Sequence, residues 1–412
     1  MGFLKGLIII MKYIVVLGDG MADYAVDEFG GKTILEAANK PNMDYMASHG
    51  ELGLVKTVAD GMKPGSDVAN LSVMGYDTKT SYSGRSPLEA ASMGVELKDT
   101  DVTFRTNLVT LSDEENYEDK TMLDYSAGEI STAEAHELIE AVNKELHTDE
   151  INFYPGISYR HLLVWDHGST NVTLTPPHDI SGRKITDYLP KGDNSEKLLE
   201  MMKESVEILE KHPVNLKRIA EGKKPATSIW PWGEGTKPAL EDFYKKFGKK
   251  ASVISAVDLI KGIAVLAGMN SIYVEGANGN HDTNYKGKAD AAFDALTKDG
   301  SDFVYIHLEG PDECGHRGEA DNKKYAVEMI DEKIIGYLKK RLEDAGIEYK
   351  MMILPDHPTP IKLKTHVSDP IPFIIYDPSN ETVHDRRYTE KEAGETGLYI
   401  EKGYELMSRF LK

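Results

Sequence analysis

Residues 13–17 (YIVVL) form an unbroken β-branched apolar run that stops at Gly18-Asp19-Gly20. A strand without polar alternation is one covered on both faces, as in a parallel sheet. Short runs of the same kind recur at 252–255 (SVIS), 271–274 (SIYV), 303–308 (FVYIHL) and 351–354 (MMIL), with a further extended run at 372–376. Helical periodicity occupies 33–49, interrupted at Pro41, and returns at 257–268 and 324–345. Strands alternating with helices in this way predict an α/β fold, a mostly parallel sheet with helices on both faces. Residues 399–411 read as a C-terminal docking helix.

The middle of the chain has a different texture. From about residue 84 to residue 246 there are polar loops, isolated short strands at 162–165 and 172–174, an acidic helix at 131–146 and a second helix at 195–211. The Pro- and Trp-containing segment 229–233 (IWPWG) reads as a loop. Turn chemistry at Ser83-Gly84 and the Lys-rich segment 245–250 bound this block. The expected organisation is therefore a core of residues 1–84 and 247–412, interrupted by an inserted α+β domain at 85–246.

At 412 residues the chain is long for one ordinary domain, which agrees with that division. Its 40% hydrophobic and 28% charged residues are ordinary globular values. Lys and Arg number 48 against 68 Asp and Glu, a net charge of −20, which argues against nucleic acid or an anionic membrane surface as partner. Cys314 is the one cysteine, so neither an intrachain disulfide nor a cysteine-based zinc cluster is possible. The apolar stretch 1–10 (MGFLKGLIII) is short and interrupted by Lys5, and Met11 resembles a natural start. A cytoplasmic protein is expected; nothing in the sequence sets its oligomeric state.

Ligands in parallel α/β sheets bind beyond the carboxyl ends of the strands. Here those ends deliver oxygen and imidazole donors. YIVVL ends near Asp19, and FVYIHL leads to Gly310-Pro311-Asp312 and His316. MMIL runs into Pro355-Asp356-His357, and Thr365-His366 follows. Each element alone is an unremarkable turn or cap. Together, three Asp and three His without cysteine suit hard-to-borderline divalent ions, and six ligands exceed one tetrahedral site. Ser66 follows the turn Pro64-Gly65 and begins a helix-compatible stretch, where the dipole favours an anion. A serine hydroxyl is a poor nucleophile unless a base or a metal activates it, and no histidine lies nearby in sequence.

These motifs, in this order, resemble the alkaline phosphatase superfamily and, within it, cofactor-independent phosphoglycerate mutases of the archaeal type. The resemblance also rests on 83–90 (SGRSPLEA), 104–107 (FRTN), 154–161 and 177–182 (PHDISG). It implies a phosphatase-like core holding two divalent ions, manganese first and zinc or cobalt as possible replacements, and no 2,3-bisphosphoglycerate. Asp312, His316 and His366 would hold one ion; Asp19, Asp356, His357 and Ser66 would hold the other. Ser66 would take the phosphoryl group from 3-phosphoglycerate and return it to the 2-hydroxyl of glycerate.

The inserted domain would supply cations for the small phosphorylated substrate, with Arg105, Arg160 and Arg183 as candidates. Arginine's planar fork suits carboxylate and phosphate. Asn107, His161, His178 and Asp179 are further candidates there, and Lys261 is one from the core. One segment departs from the family pattern. Residues 229–235 (IWPWGEG) lack the arginine of the archaeal mutases and resemble a bacterial branch labelled as proposed homoserine kinases. A kinase-like phosphotransferase acting on homoserine, and a metal-dependent phosphatase, are the alternative readings; no Walker-type or kinase Gly-rich loop is evident.

Overall fold

A computed structural model describes residues 11–412; the stretch 1–10 lies outside the described residues. The chain divides into two compact units, one running to Tyr82 and resuming at Ala239–Lys412, the other Ser83–Pro238. The return to the first unit comes earlier than position 247, for a packing reason. Phe243 is buried and its ring lies 4.9 Å from that of Phe303 in the first unit's sheet.

That sheet has eight strands: Lys12–Gly18 (β1), Glu51–Val55 (β2), Ala251–Ile254 (β3), Asn270–Ile272 (β4), Phe303–Leu308 (β5), Tyr349–Leu354 (β6), Ile371–Tyr376 (β7) and Tyr399–Ile400 (β8). Their order across the sheet is β4-β3-β5-β1-β6-β7-β2-β8. β1 lies between β5 and β6, parallel to both, with Leu17 beside His307 on one side and Leu354 on the other. Among the described strands of this sheet, β7 alone runs against both neighbours. Tyr13–Gly18 and Phe303–Leu308 are buried at every position, so neither face of the sheet centre meets water. Ile14, Val16, Val304 and Ile306 enter the main apolar cluster. The alternate positions Tyr13 and Phe303 meet Phe410 and Phe243 instead.

Several expectations change here. Residues 399–411 are not one helix: Tyr399–Ile400 add an edge strand beside β2, and the helix is Glu405–Phe410. The helical run after residue 320 contains a π-helical segment, Ile330–Gly336. That segment carries buried Asp331, whose carboxylate accepts from the backbone N–H of Met43 (2.7 Å) and Asn42 (3.2 Å) in the first turn of Pro41–His49. Pro41 therefore opens a helix instead of interrupting one.

A further correction lies in the second unit, where five strands form an antiparallel sheet around the long strand Asp101–Leu111 and Val172–Thr173 pairs separately with Lys191–Gly192. The segment read as a Trp-Pro-Trp loop is part of strand Ser228–Thr236, paired only to Asp101–Leu111. Proline is compatible with a strand that has one unpaired edge, because its missing N–H then costs no ladder hydrogen bond. The run at 162–165 is likewise no isolated strand: Arg160–Asp166 is flanked by Ile151–Tyr154 and Asp101–Leu111. Helices Thr132–Leu146 and Ser195–Glu210 bury Leu138, Ile139, Met201 and Met202 in the same core as Phe104 and Leu163 of the sheet.

In the first unit one buried ion pair ties together the loops that leave the sheet. Lys323, fully buried, donates to Asp23 Oδ2 (2.7 Å), to the Thr359 carbonyl (2.8 Å) and to the Ala22 carbonyl (3.3 Å). Asp23 in turn accepts from the Ile361 N–H (3.2 Å). Removing one partner of a buried pair leaves the other charge uncompensated. Asp23→Ala is expected to cost on the order of 3 kcal/mol in urea unfolding, with a smaller loss for Asp23→Asn, which keeps an acceptor.

Candidate active site

Strand polarity brings the predicted donors together. β1 exits at Asp19, β5 at the helix Gly310–Arg317 bearing Asp312 and His316, and β6 at Asp356 and His357. Because β7 runs the other way, the chain must return to the exit end of β6 before entering it, and that approach carries His366. The result is two adjoining groups. Ligand atoms of Asp312, His316 and His366 all lie within 4.8 Å of one another, as do those of Asp19, Asp312 and His357. Asp312 belongs to both: its Oδ2 is 3.2 Å from His316 Nε2 and its Oδ1 is 3.4 Å from His366 Nε2. The His357 and His366 rings are 4.0 Å apart. Ser66 opens the helix Ser66–Val73, and its Oγ lies 3.3 Å from His357 Nε2.

The electrostatics are those of a crowded anionic pocket. Asp19 is fully buried and its Oδ1 has no hydrogen-bond partner. Burial, then the charges of Asp356 and Asp312, hold its carboxyl well above the ordinary range. Burial also pushes Asp312 upward, yet hydrogen bonds from His316 and His366 hold it well below the ordinary value. The hydrogen bond to Asp312 raises His316 to about 9. Burial lowers His357, which keeps its imidazole in the neutral, ligating form. An orphaned buried carboxylate oxygen among oxygen and imidazole donors fits divalent manganese, zinc or cobalt, which would supply the missing positive charge.

Asp356 is positioned by other groups. Its Oδ1 accepts from the N–H of Gly20 (3.1 Å) and of His357 (2.8 Å), and its Oδ2 from Asn70 Nδ2 (2.9 Å). Asn70 also donates to the Ser66 carbonyl (2.9 Å) and accepts from the Tyr305 hydroxyl (2.6 Å). The nucleophile candidate and Asp356 are thus tied to one amide. Asn70, Tyr305 and His307 escaped the sequence reading. The available signal was the period of two in FVYIHL, which puts Tyr305 and His307 on one face, with a histidine inside an otherwise apolar strand.

In the second unit a chain of side-chain contacts gathers most of the substrate candidates. The Arg105 guanidinium lies 4.2 Å from the Trp232 ring centroid, and its Nε is 3.0 Å from Glu89. Trp232 meets His178 (5.3 Å), His178 meets Tyr125 (6.1 Å), and Tyr125 meets Tyr159 (5.8 Å), over which Arg160 is placed at 5.6 Å. Asn107 accepts from Trp232 Nε1 (2.9 Å) and donates to the Tyr125 carbonyl (2.9 Å). Asp179 is exposed, 3.6 Å from His178. Trp230 is buried and donates to the Thr175 carbonyl, so the two tryptophans have separate roles. Arg183 stands outside these contacts, 3.3 Å from the Tyr188 hydroxyl. His161 is buried, its Nδ1 accepting from the Gly156 N–H (3.0 Å) and its Nε2 unpartnered; burial lowers it to about 3. In the first unit, Lys261 pairs with Asp258 at 3.2 Å.

A family model described as 2,3-bisphosphoglycerate-independent phosphoglycerate mutase matches residues 47–215. A protein of Geobacter sulfurreducens named as a probable mutase of that kind is 51% identical, the match covering 97% of this chain and all of that protein. The chain belongs to the 2,3-bisphosphoglycerate-independent phosphoglycerate mutase family. A second member, from Methanosarcina barkeri, is 50% identical over 98% of this chain and 100% of its own. A solved structure of a Pyrococcus horikoshii protein matches with a TM-score of 0.80 at 29% identity, over 98% of this chain and 97% of that one. A cofactor-independent phosphoglycerate mutase from Thermoplasma acidophilum shares the fold, with a TM-score of 0.68 at 24% identity, over 97% and 99% of the two chains. Among the described residues, no helix is long and apolar enough to cross a membrane.

The site also explains one glycine of the sequence motif. Gly20 has φ +62°, and a Cβ there would lie 2.6 Å from Asp312 Oδ1 and 2.8 Å from the Asp312 backbone. A left-handed backbone alone costs an L-residue about 1–2 kcal/mol. Gly20→Ala is expected to lower stability by at least that amount in urea unfolding, because Asp312 must also move.

Proposed function

We propose that this chain interconverts 3-phosphoglycerate and 2-phosphoglycerate through a phosphoserine on Ser66, with two divalent cations and without 2,3-bisphosphoglycerate. The observation that carries this reading is the half-buried Ser66 hydroxyl beside His357, at a pocket where a buried Asp19 oxygen lacks any partner. Family membership supports the substrate. Asp312, His316 and His366 would hold one ion, and Asp19, Asp356, His357 and Ser66 the other. The cations, manganese in this reading, supply charge that lowers the pKa of the serine hydroxyl and offsets the phosphoryl oxygens.

Ser66 Oγ forms the bond to phosphorus as the bond from phosphorus to the 3-oxygen breaks. The serine loses its proton, and glycerate gains one on that oxygen. Glycerate then turns, its 2-hydroxyl takes the phosphoryl group and releases a proton, and Ser66 is restored. The helix Ser66–Val73 directs its N-terminal dipole toward the phosphoryl charge, and Asn70 holds the Ser66 backbone in place.

In this reading residues 83–238 form the substrate cap. Arg105 and Arg160 bind the anionic ends of the substrate, and His178, Asp179 and Asn107 handle its hydroxyls. His161, buried and bonded to the Gly156 N–H, is read as a packing residue. Arg183 and Lys261 remain candidate anion contacts. A soluble metabolite as substrate agrees with a cytoplasmic location.

An enolase-coupled assay with manganese, run beside a homoserine-plus-ATP assay, tests the reading; turnover only in the second would overturn it. Ser66→Ala is expected to lower mutase turnover at least about 1,000-fold while metal content by elemental analysis is kept in large part. Parental turnover in that variant would exclude the phosphoserine. Chelation is expected to abolish activity, and manganese, cobalt or zinc to restore it.

A further inference from the structure

We infer that His307, inside strand β5, is the positioning residue that aims Asp19 at its metal ion, and that Ser255 sets the tautomer that lets it do so. The inference rests on the metal-binding reading above. His307 is fully buried, and its Nε2 lies 2.9 Å from Asp19 Oδ2. The other carboxylate oxygen of Asp19, Oδ1, is the one without a partner, 3.7 Å from His357 Nε2. One oxygen is therefore tethered and the other is presented.

The tether works only if His307 carries its proton on Nε2. Ser255 Oγ accepts from the Val257 N–H (3.0 Å) and lies 3.3 Å from His307 Nδ1. With a lone pair engaged by Val257, the serine hydroxyl proton is free to be donated to Nδ1. The Nε2 proton then faces the carboxylate. With a bound cation keeping Asp19 ionised, the alternative tautomer would set a bare Nε2 lone pair against a carboxylate oxygen. The backbone at the same point is held as well: Lys288, itself buried, donates to the His307 carbonyl (3.0 Å).

A residue acting this way tunes affinity for one ion without touching it, with losses of about 10–100-fold when it is removed. The test is a Mn2+ titration of the whole chain, followed by loss of the free-ion electron paramagnetic resonance signal. The parent is expected to bind two ions. His307→Leu should weaken one by about 10–100-fold and leave the other unchanged; His307→Gln, which retains an N–H donor, should recover most of the loss. Ser255→Ala should weaken the same ion by a smaller factor, and serves as the test if His307→Leu does not fold. Two ions bound at parental affinity by folded His307→Leu, or by Ser255→Ala if that variant must serve, would overturn the inference with the metal centre intact. Failure of the parent to bind Mn2+ would overturn the metal-binding reading and the inference with it.

Discussion

Three carboxylates, Asp19, Asp312 and Asp356, are buried side by side at the carboxyl end of a sheet whose centre excludes water. Water cannot screen them, and hydrogen bonding relieves only part of the charge: Asp356 has three donors, Asp312 has two imidazoles, and Asp19 keeps an oxygen with none. A fold tolerates such a deficit when cations are part of the working molecule. The brace of Lys323 and Asp23, the left-handed Gly20 and the Tyr305–Asn70 link all hold the loops in the positions where repulsion is greatest.

The donors were legible in the sequence because strand ends are local signals: an apolar run that stops at an Asp or Asp-His pair needs no knowledge of distant residues. His366 was legible only through motif order, since nothing local says that the strand after it runs in reverse. The groups that hold the donors were not legible. Asn70 reads as an ordinary helix residue until the fold places it between Tyr305, Ser66 and Asp356, and His307 reads as part of an apolar strand. Such supporting contacts span 286 residues for Asn70 to Asp356 and 288 for His307 to Asp19, beyond the reach of any periodicity.

The inserted unit was harder to read than the core because its strands are amphipathic and its turn residues misleading. Pro231 and Gly233 argued for a loop, but an edge position makes both acceptable in a strand. Being in a strand fixes Trp232, which then backs Arg105 with its ring and Asn107 with its indole N–H. Trp232 thus orients an arginine of the same patch.

The order of the donors along the chain has a consequence for assembly. Asp19 leaves the ribosome early, but its sheet neighbours at 303–308 and 349–354 and the imidazole at 366 come some three hundred residues later. Pairings so distant in sequence form late. Until those strands pair, Asp19 is a lone carboxylate without the neighbours that surround it in the folded chain. On the metal-binding reading proposed above, the site is assembled only after His366 has joined the earlier donors.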